Sequence, residues 1–165
     1  MKSTISTSTA GQAWLSVVQT YQLCQKRYEE LLEQFGLTLA QFDALIAIDR
    51  LGDEALPKNI ADSLVVTRGN VTGLLKRLVS AGLIKLRPHP VDGRASIVQL
   101  TGSAKNQIHH AKSAARRFIE VQLQPFTDAE LESTGKLMQA MHAHLHSMDV
   151  HAIATTSEHK TGQTA

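Results

Sequence analysis

Residues 67–82 read TRGNVTGLLKRLVSAG. Val71, Leu74, Leu75, Leu78 and Val79 recur at helical spacing and form one apolar side. Arg68, Asn70, Thr72, Lys76 and Arg77 form the other, with Gly69 and Gly73 between them. Donors and cations of this kind suit base edges and phosphates. A glycine inside a helix costs about 1 kcal/mol relative to alanine, but it lets a large partner come close. The stretch therefore predicts a DNA-recognition helix, capped by Thr67 and stopped near Gly82.

Just upstream, Pro57 can occupy the first turn of a short helix whose buried side is Ile60, Ala61 and Leu64. Val65-Val66 makes the turn into the recognition helix, which completes a helix-turn-helix pattern. Downstream the period changes. Leu83, Ile84 and Leu86, then Ile97, Val98 and Leu100, predict two short strands. The tip between them holds two prolines and Asp92-Gly93, turn chemistry that makes it a hairpin. A helix-turn-helix followed by a hairpin is a winged helix.

Longer helices flank this module. Trp14, Val17, Tyr21, Cys24, Tyr28, Leu31 and Phe35 make one stripe over about 11–35, closed by Gly36. Thr38 with Gln41 is a capping box opening a second helix to about Gly52. Residues 53–56 then form a short connection with room for one brief strand. Ala104, Ile108, Ala111, Ala115, Phe118 and Gln122 give a long helix from Thr101 to about Gln124, ended by Pro125. Thr127 and Glu130 cap a last helix with the seam Leu131, Thr134, Met138, Met141, Leu145 and Met148, and Phe126 is placed to staple onto Leu131.

The expected fold is mostly α: a winged helix-turn-helix with a small β-hairpin wing, plus long terminal helices. A single domain over residues 10–150 is expected, with a DNA-binding region at 37–100 and a helical dimerisation region at 11–36 and 101–148. Residues 1–9 and 151–165 are expected to be flexible tails. The terminal seams exceed what a compact winged helix of ~65 residues needs, so they predict a homodimer.

Charge supports the same reading. Residues 57–117 hold eleven Lys or Arg against two acids, whereas the rest of the chain is acidic. So lopsided a block points to a polyanionic partner, double-stranded DNA. With 42% hydrophobic residues the chain can build a core, and its short apolar runs exclude a membrane span. No signal peptide opens the sequence, so the expected location is cytoplasmic, on the nucleoid through DNA. One cysteine excludes a disulfide framework and a Cys-rich zinc site. No nucleophile–base pair and no phosphate-binding glycine loop suggests an enzyme, and no cofactor is expected. A winged helix that binds protein instead would carry apolar residues where this one has Arg68, Asn70, Thr72 and Lys76.

From Leu37-Thr38 through residues 60–64, 66–72 and 78–84 to Asp92-Gly93-Arg94 and 98–101, the chain resembles the MarR family of bacterial winged-helix regulators. The likeness covers about residues 12–148. It implies a dimer built from the first and last two helices, and repression at a pseudo-palindromic site relieved by a small molecule. It also implies that Arg94 enters the minor groove from the wing tip, oriented by Asp92. The family usually continues the wing with Thr-x-x-Gly; here Thr101-Gly102-Ser103-Ala104 moves the glycine to the helix start.

On the recognition surface, Asn70, Thr72 and Arg77 are the expected base readers. Lys58, Arg68, Lys76 and Ser96 are expected at phosphates, and Thr67 and Gly73 lie on the same surface. An effector pocket for an aromatic or amphipathic molecule is expected where the first, second and fifth helices converge. Tyr28, Phe42, Ile46 and His110 are its candidates, though each taken singly reads more readily as core packing. Two alternatives are a thiol response through Cys24 and a metal response through His109/His110 or His142/His146. Cys24 sits on the apolar stripe, where buried thiols are inert. The family branch that senses peroxide carries its cysteine nearer position 14. Neither histidine pair has a cysteine or carboxylate at supporting spacing, so no metal site is expected.

Overall fold

In the computed structural model, which describes residues 8–91 and 95–156, helix ends fall where capping chemistry puts them. Helix α1 (Thr9–Glu33) starts at Ser8, whose hydroxyl accepts from the Gly11 N–H. Gly36, at φ 66°, turns the chain so that the Leu37 N–H returns to Leu32 O. Helix α2 (Leu39–Leu51) carries the Thr38/Gln41 capping box, with both reciprocal bonds made. Helix α3 (Pro57–Leu64), α4 (Arg68–Ser80), strands β1 (Ile84–Pro88) and β2 (Ser96–Leu100), and α5 (Gly102–Leu123) follow. The strands pair antiparallel, Ile84 opposite Leu100 and Pro88 opposite Ser96. Helix α6 (Asp128–Ser147) carries the Thr127/Glu130 capping box. The protein is a mostly α winged helix.

The core lies beneath the hairpin and α4. Leu32, Leu37, Leu45, Ile48, Ile60, Val71, Leu78 and Val98 are fully enclosed there. Each such aliphatic side chain contributes about 1.5–3 kcal/mol by leaving water. Ala104, Ile108, Ala111 and Ala115 bring α5 onto this core, three of the four being small enough for close approach. The displaced glycine of the wing does no harm. Thr101 Oγ1 donates to Gly82 O and Leu83 O and accepts from the Ala104 N–H, tying α5 to the end of α4.

Several expectations are corrected. The connection at 53–56 forms no strand. It coils as a 3-10 turn over Gly52–Glu54, because the backbone swings at Gly52, and Ala55 O accepts from the Val98 N–H of β2. In place of the expected frayed end after Val150, α7 (Val150–Thr156) follows α6. Asp149 Oδ1 starts it by accepting from the His151 and Ala152 N–H groups. At the other end, α1 already includes Thr9. Residues 1–7 and 157–165, the remainder of the expected tails, lie outside the described residues. Val79, assigned to the apolar side of α4, is 43% exposed.

The chain divides into two compact units, one ending at Ile119 and one beginning at Glu120, where the sequence pattern predicts one domain over 10–150. In the first unit, two positions of the leading half of the α1 stripe stand exposed, Trp14 at 51% and Tyr21 at 67%, with Val17 half-buried between them. In the second, no residue of α6 is buried, and Leu145 is 60% exposed.

Candidate nucleic-acid interface

Helix α4 is launched by a strained turn. Val65 caps α3 at φ 55°, ψ 42°, a left-handed conformation that β-branched residues rarely take. Its N–H bonds back to Asp62 O, and Val66 N–H to Ala61 O. Thr67 then caps α4, its Oγ1 accepting from the Asn70 N–H. Val71, Leu74, Leu75 and Leu78 hold the helix to the core. Outside stand Thr67, Asn70, Thr72, Lys76 and Arg77, all exposed, with Gly69 exposed and Gly73 half-buried between them, and Val79 at the far end.

The expected contact residues divide between two flanks of α4. On the wing side, Thr72 and Lys76 line a cleft of about 790 Å³ with Lys58 of α3 and Ser96 of β2. Its floor is apolar, from Pro57, Leu75 and Leu86. On the α2 side, Asn70 and Arg77 line a separate cleft with Ala40, Asp43 and Leu64. The three expected base readers thus stand on opposite sides of the same helix. Arg68 opens α4. Asp92 and Arg94 lie outside the described residues.

Two cations of the basic block are engaged elsewhere. Lys112 Nζ meets Asp49 Oδ2 at 2.6 Å, and Arg87 Nη2 meets Asp53 Oδ1 at 3.3 Å. Both pairs are solvent-exposed, where such bridges contribute roughly 0–1 kcal/mol. They draw charge toward the base of the hairpin and α5, whereas Lys58 and Lys76 remain beside α4.

The family model described as "MarR family" matches residues 35–95, the stretch from the end of α1 through the hairpin. The HTH-type transcriptional regulator YwoH of Bacillus subtilis is 30% identical over 121 residues, which span 73% of this chain and 87% of that protein. The chain belongs to the MarR family. MarR-family proteins are DNA-binding transcriptional regulators rather than enzymes. The HTH-type transcriptional repressor IacR of Pseudomonas putida is 19% identical over 73% of this chain and 71% of its own length. The organohalide-sensing regulator RdhR-CbdbA1625, in its 2,4-dichlorophenol-bound form, shares the fold with TM-score 0.74 at 17% identity, over 87% of this chain and 85% of that one.

Of the four effector candidates in this MarR-family chain, Phe42 touches Tyr28 and shares a cleft with Ile46, while the His110 ring pairs with His109. Tyr28 packs edge-on against Phe42, with centroids 6.2 Å apart, and against Phe118 at 5.3 Å. Burial pushes the Tyr28 phenol above its ordinary range, helped by the negative charge of Asp43 and by Cys24. Phe42 and Ile46 line a shallow cleft with Asp43, Arg50 and Ser63. His110 is exposed and its ring faces His109. Cys24 is half-buried. Sequence reasoning passed over Asp43, which borders both the Phe42/Ile46 cleft and the Asn70/Arg77 cleft. Its position next to Phe42 on α2 was the available signal.

No helix of the described residues is long and apolar enough to cross a membrane.

Proposed function

We propose that this MarR-family chain is a cytoplasmic repressor that binds a pseudo-palindromic duplex site as a homodimer. A small aromatic or amphipathic molecule releases it. The observation that carries the proposal is α4: four buried aliphatics fix it, and Thr67, Gly69, Asn70, Thr72, Lys76 and Arg77 are exposed along its outer face. In the major groove, Asn70 and Arg77 would read base edges on one flank and Thr72 on the other. Lys76, Lys58, Ser96 and Arg68 would hold phosphates, and Thr67 and Gly73 border that contact. Arg94, oriented by Asp92, would enter the adjacent minor groove, where a narrow A·T tract concentrates negative potential.

Repression is supported by the name of IacR, and effector release by the dichlorophenol complex of RdhR-CbdbA1625. The aromatic corner of Tyr28, Phe42 and Ile46 suits a molecule of that chemistry. Dimerisation is supported by the bare apolar positions Trp14 and Tyr21 on α1 and Leu145 on α6. Footprinting on DNA upstream of the protein's own gene tests the reading. Two protected half-sites with centres about one helical turn, 10–10.5 bp, apart are expected. A single unpaired half-site would contradict it.

A further inference from the structure

We propose that His142 and His146 form a two-imidazole site for one borderline divalent transition-metal ion, of the class Zn²⁺, Ni²⁺ or Cu²⁺. The proposal is independent of the DNA-binding reading, because it concerns a different face of a different helix.

The two residues are four apart on α6, so their side chains leave the same face one turn from each other. Their ring centroids stand 4.6 Å apart with the planes at 73°. Two imidazoles sharing one ion at about 2.0–2.1 Å per Zn–N bond would hold their centroids roughly 5 Å apart. The rings meet edge to face at close to the separation a shared ion requires, and turning both about their side-chain bonds would aim one nitrogen of each at a common point. Both residues are exposed, so that rotation meets no packing and an ion can enter from solvent.

The donor set selects the ion. Neutral imidazole suits Zn, Cu and Ni, whereas Mg²⁺ and Ca²⁺ demand oxygen ligands. Among the described residues no carboxylate joins the pair. Asp149, the next acid along the chain, is turned to α7, its Oδ1 accepting from His151 and Ala152 N–H groups. Among the described residues no group of three His, Cys, Asp or Glu side chains could hold a metal together. Water completes the coordination, so the ion is exchangeable rather than structural. His109 and His110 provide the contrast. Consecutive residues leave a helix about 100° apart, so their side chains start from different faces.

Isothermal titration of the untagged full chain with zinc, nickel or copper salts tests the proposal. One ion per chain is expected, with Cu²⁺ bound more tightly than Ni²⁺ or Zn²⁺ and no binding of Mg²⁺ or Ca²⁺. His142→Ala and His146→Ala should each weaken binding at least tenfold. The double variant His109→Ala/His110→Ala should leave it unchanged. Alanine favours helix and both rings are exposed, so circular dichroism should show all variants folded. Undiminished binding in both single variants, or no saturable binding by the wild type, would overturn the proposal.

Discussion

The guanidinium of Arg77 folds back along α4 until its Nη1 lies 3.6 Å from where a Cβ on Gly73 would stand. That is ordinary van der Waals contact, so alanine fits at 73 without moving Arg77. Around Gly69 a Cβ would meet nothing. Neither glycine is required by packing in the protein itself. If both serve the approach of DNA, Gly69→Ala and Gly73→Ala should each stabilise the fold by about 0.5–1 kcal/mol. They should at the same time weaken DNA binding. Urea unfolding and a DNA titration on the same preparations check both halves, and a gain in both stability and affinity would show that the glycines do not serve contact.

The turn before α4 carries measurable strain. Val65 is 91% exposed, so its side chain contributes little burial, and it sits at φ 55°. Left-handed backbone costs a non-glycine residue roughly 1–2 kcal/mol. Val65→Gly is expected to raise the urea midpoint, by part of that amount, because glycine also loses more entropy on folding. A lower midpoint would mean that the turn is held by contacts of the Val65 side chain.

Glu130 gives a pH signature. Its Oε2 accepts from the Thr127 N–H and from the Thr127 hydroxyl, each at 2.8 Å, and these bonds hold its carboxyl below the ordinary glutamate range. A carboxyl lowered on folding adds stability above its unfolded pKa and loses it as pH falls through the folded value. Glu130→Gln keeps the capping box but cannot titrate. Its melting temperature should therefore fall less than that of the wild type between about pH 5 and pH 3. Parallel curves would show that the bond to Thr127 does not distinguish the ionised form in solution.

Dimerisation is tested on α1. Trp14→Glu and Tyr21→Glu alter side chains already exposed in one chain, so each folded monomer should survive. Sedimentation equilibrium is expected to show a dimer for the wild type at micromolar concentration and a shift toward monomer for both variants. An unchanged dimer would place the interface elsewhere.

Local chemistry was legible and long-range geometry was not. Thr38 with Gln41, Thr67, and Thr127 with Glu130 announce helix starts within three or four residues, and all three caps form. The apolar period placed Val71, Leu74, Leu75 and Leu78 inside, but it could not tell that Val79 borders the wing-side cleft. That depends on where a hairpin later in the chain comes to lie. Likewise, no pattern joins Lys112 to Asp49 across 63 residues, or sets Arg77 beside Asp43 rather than beside Thr72. Helix α7 escaped notice because its signal is one cap, Asp149, before a stretch without amphipathic period.

The most direct test of the central claim is a fluorescence anisotropy titration of the full chain on its upstream DNA at a series of salt concentrations. A dimer that neutralises 6–10 phosphates should lose roughly 10³–10⁵ in affinity between about 50 and 200 mM salt. Lys76→Ala and Lys58→Ala should each flatten the log–log slope by about one for every phosphate left without its cation. Affinity independent of salt, or slopes unchanged by both substitutions, would contradict the assignment of this face of α4 to DNA.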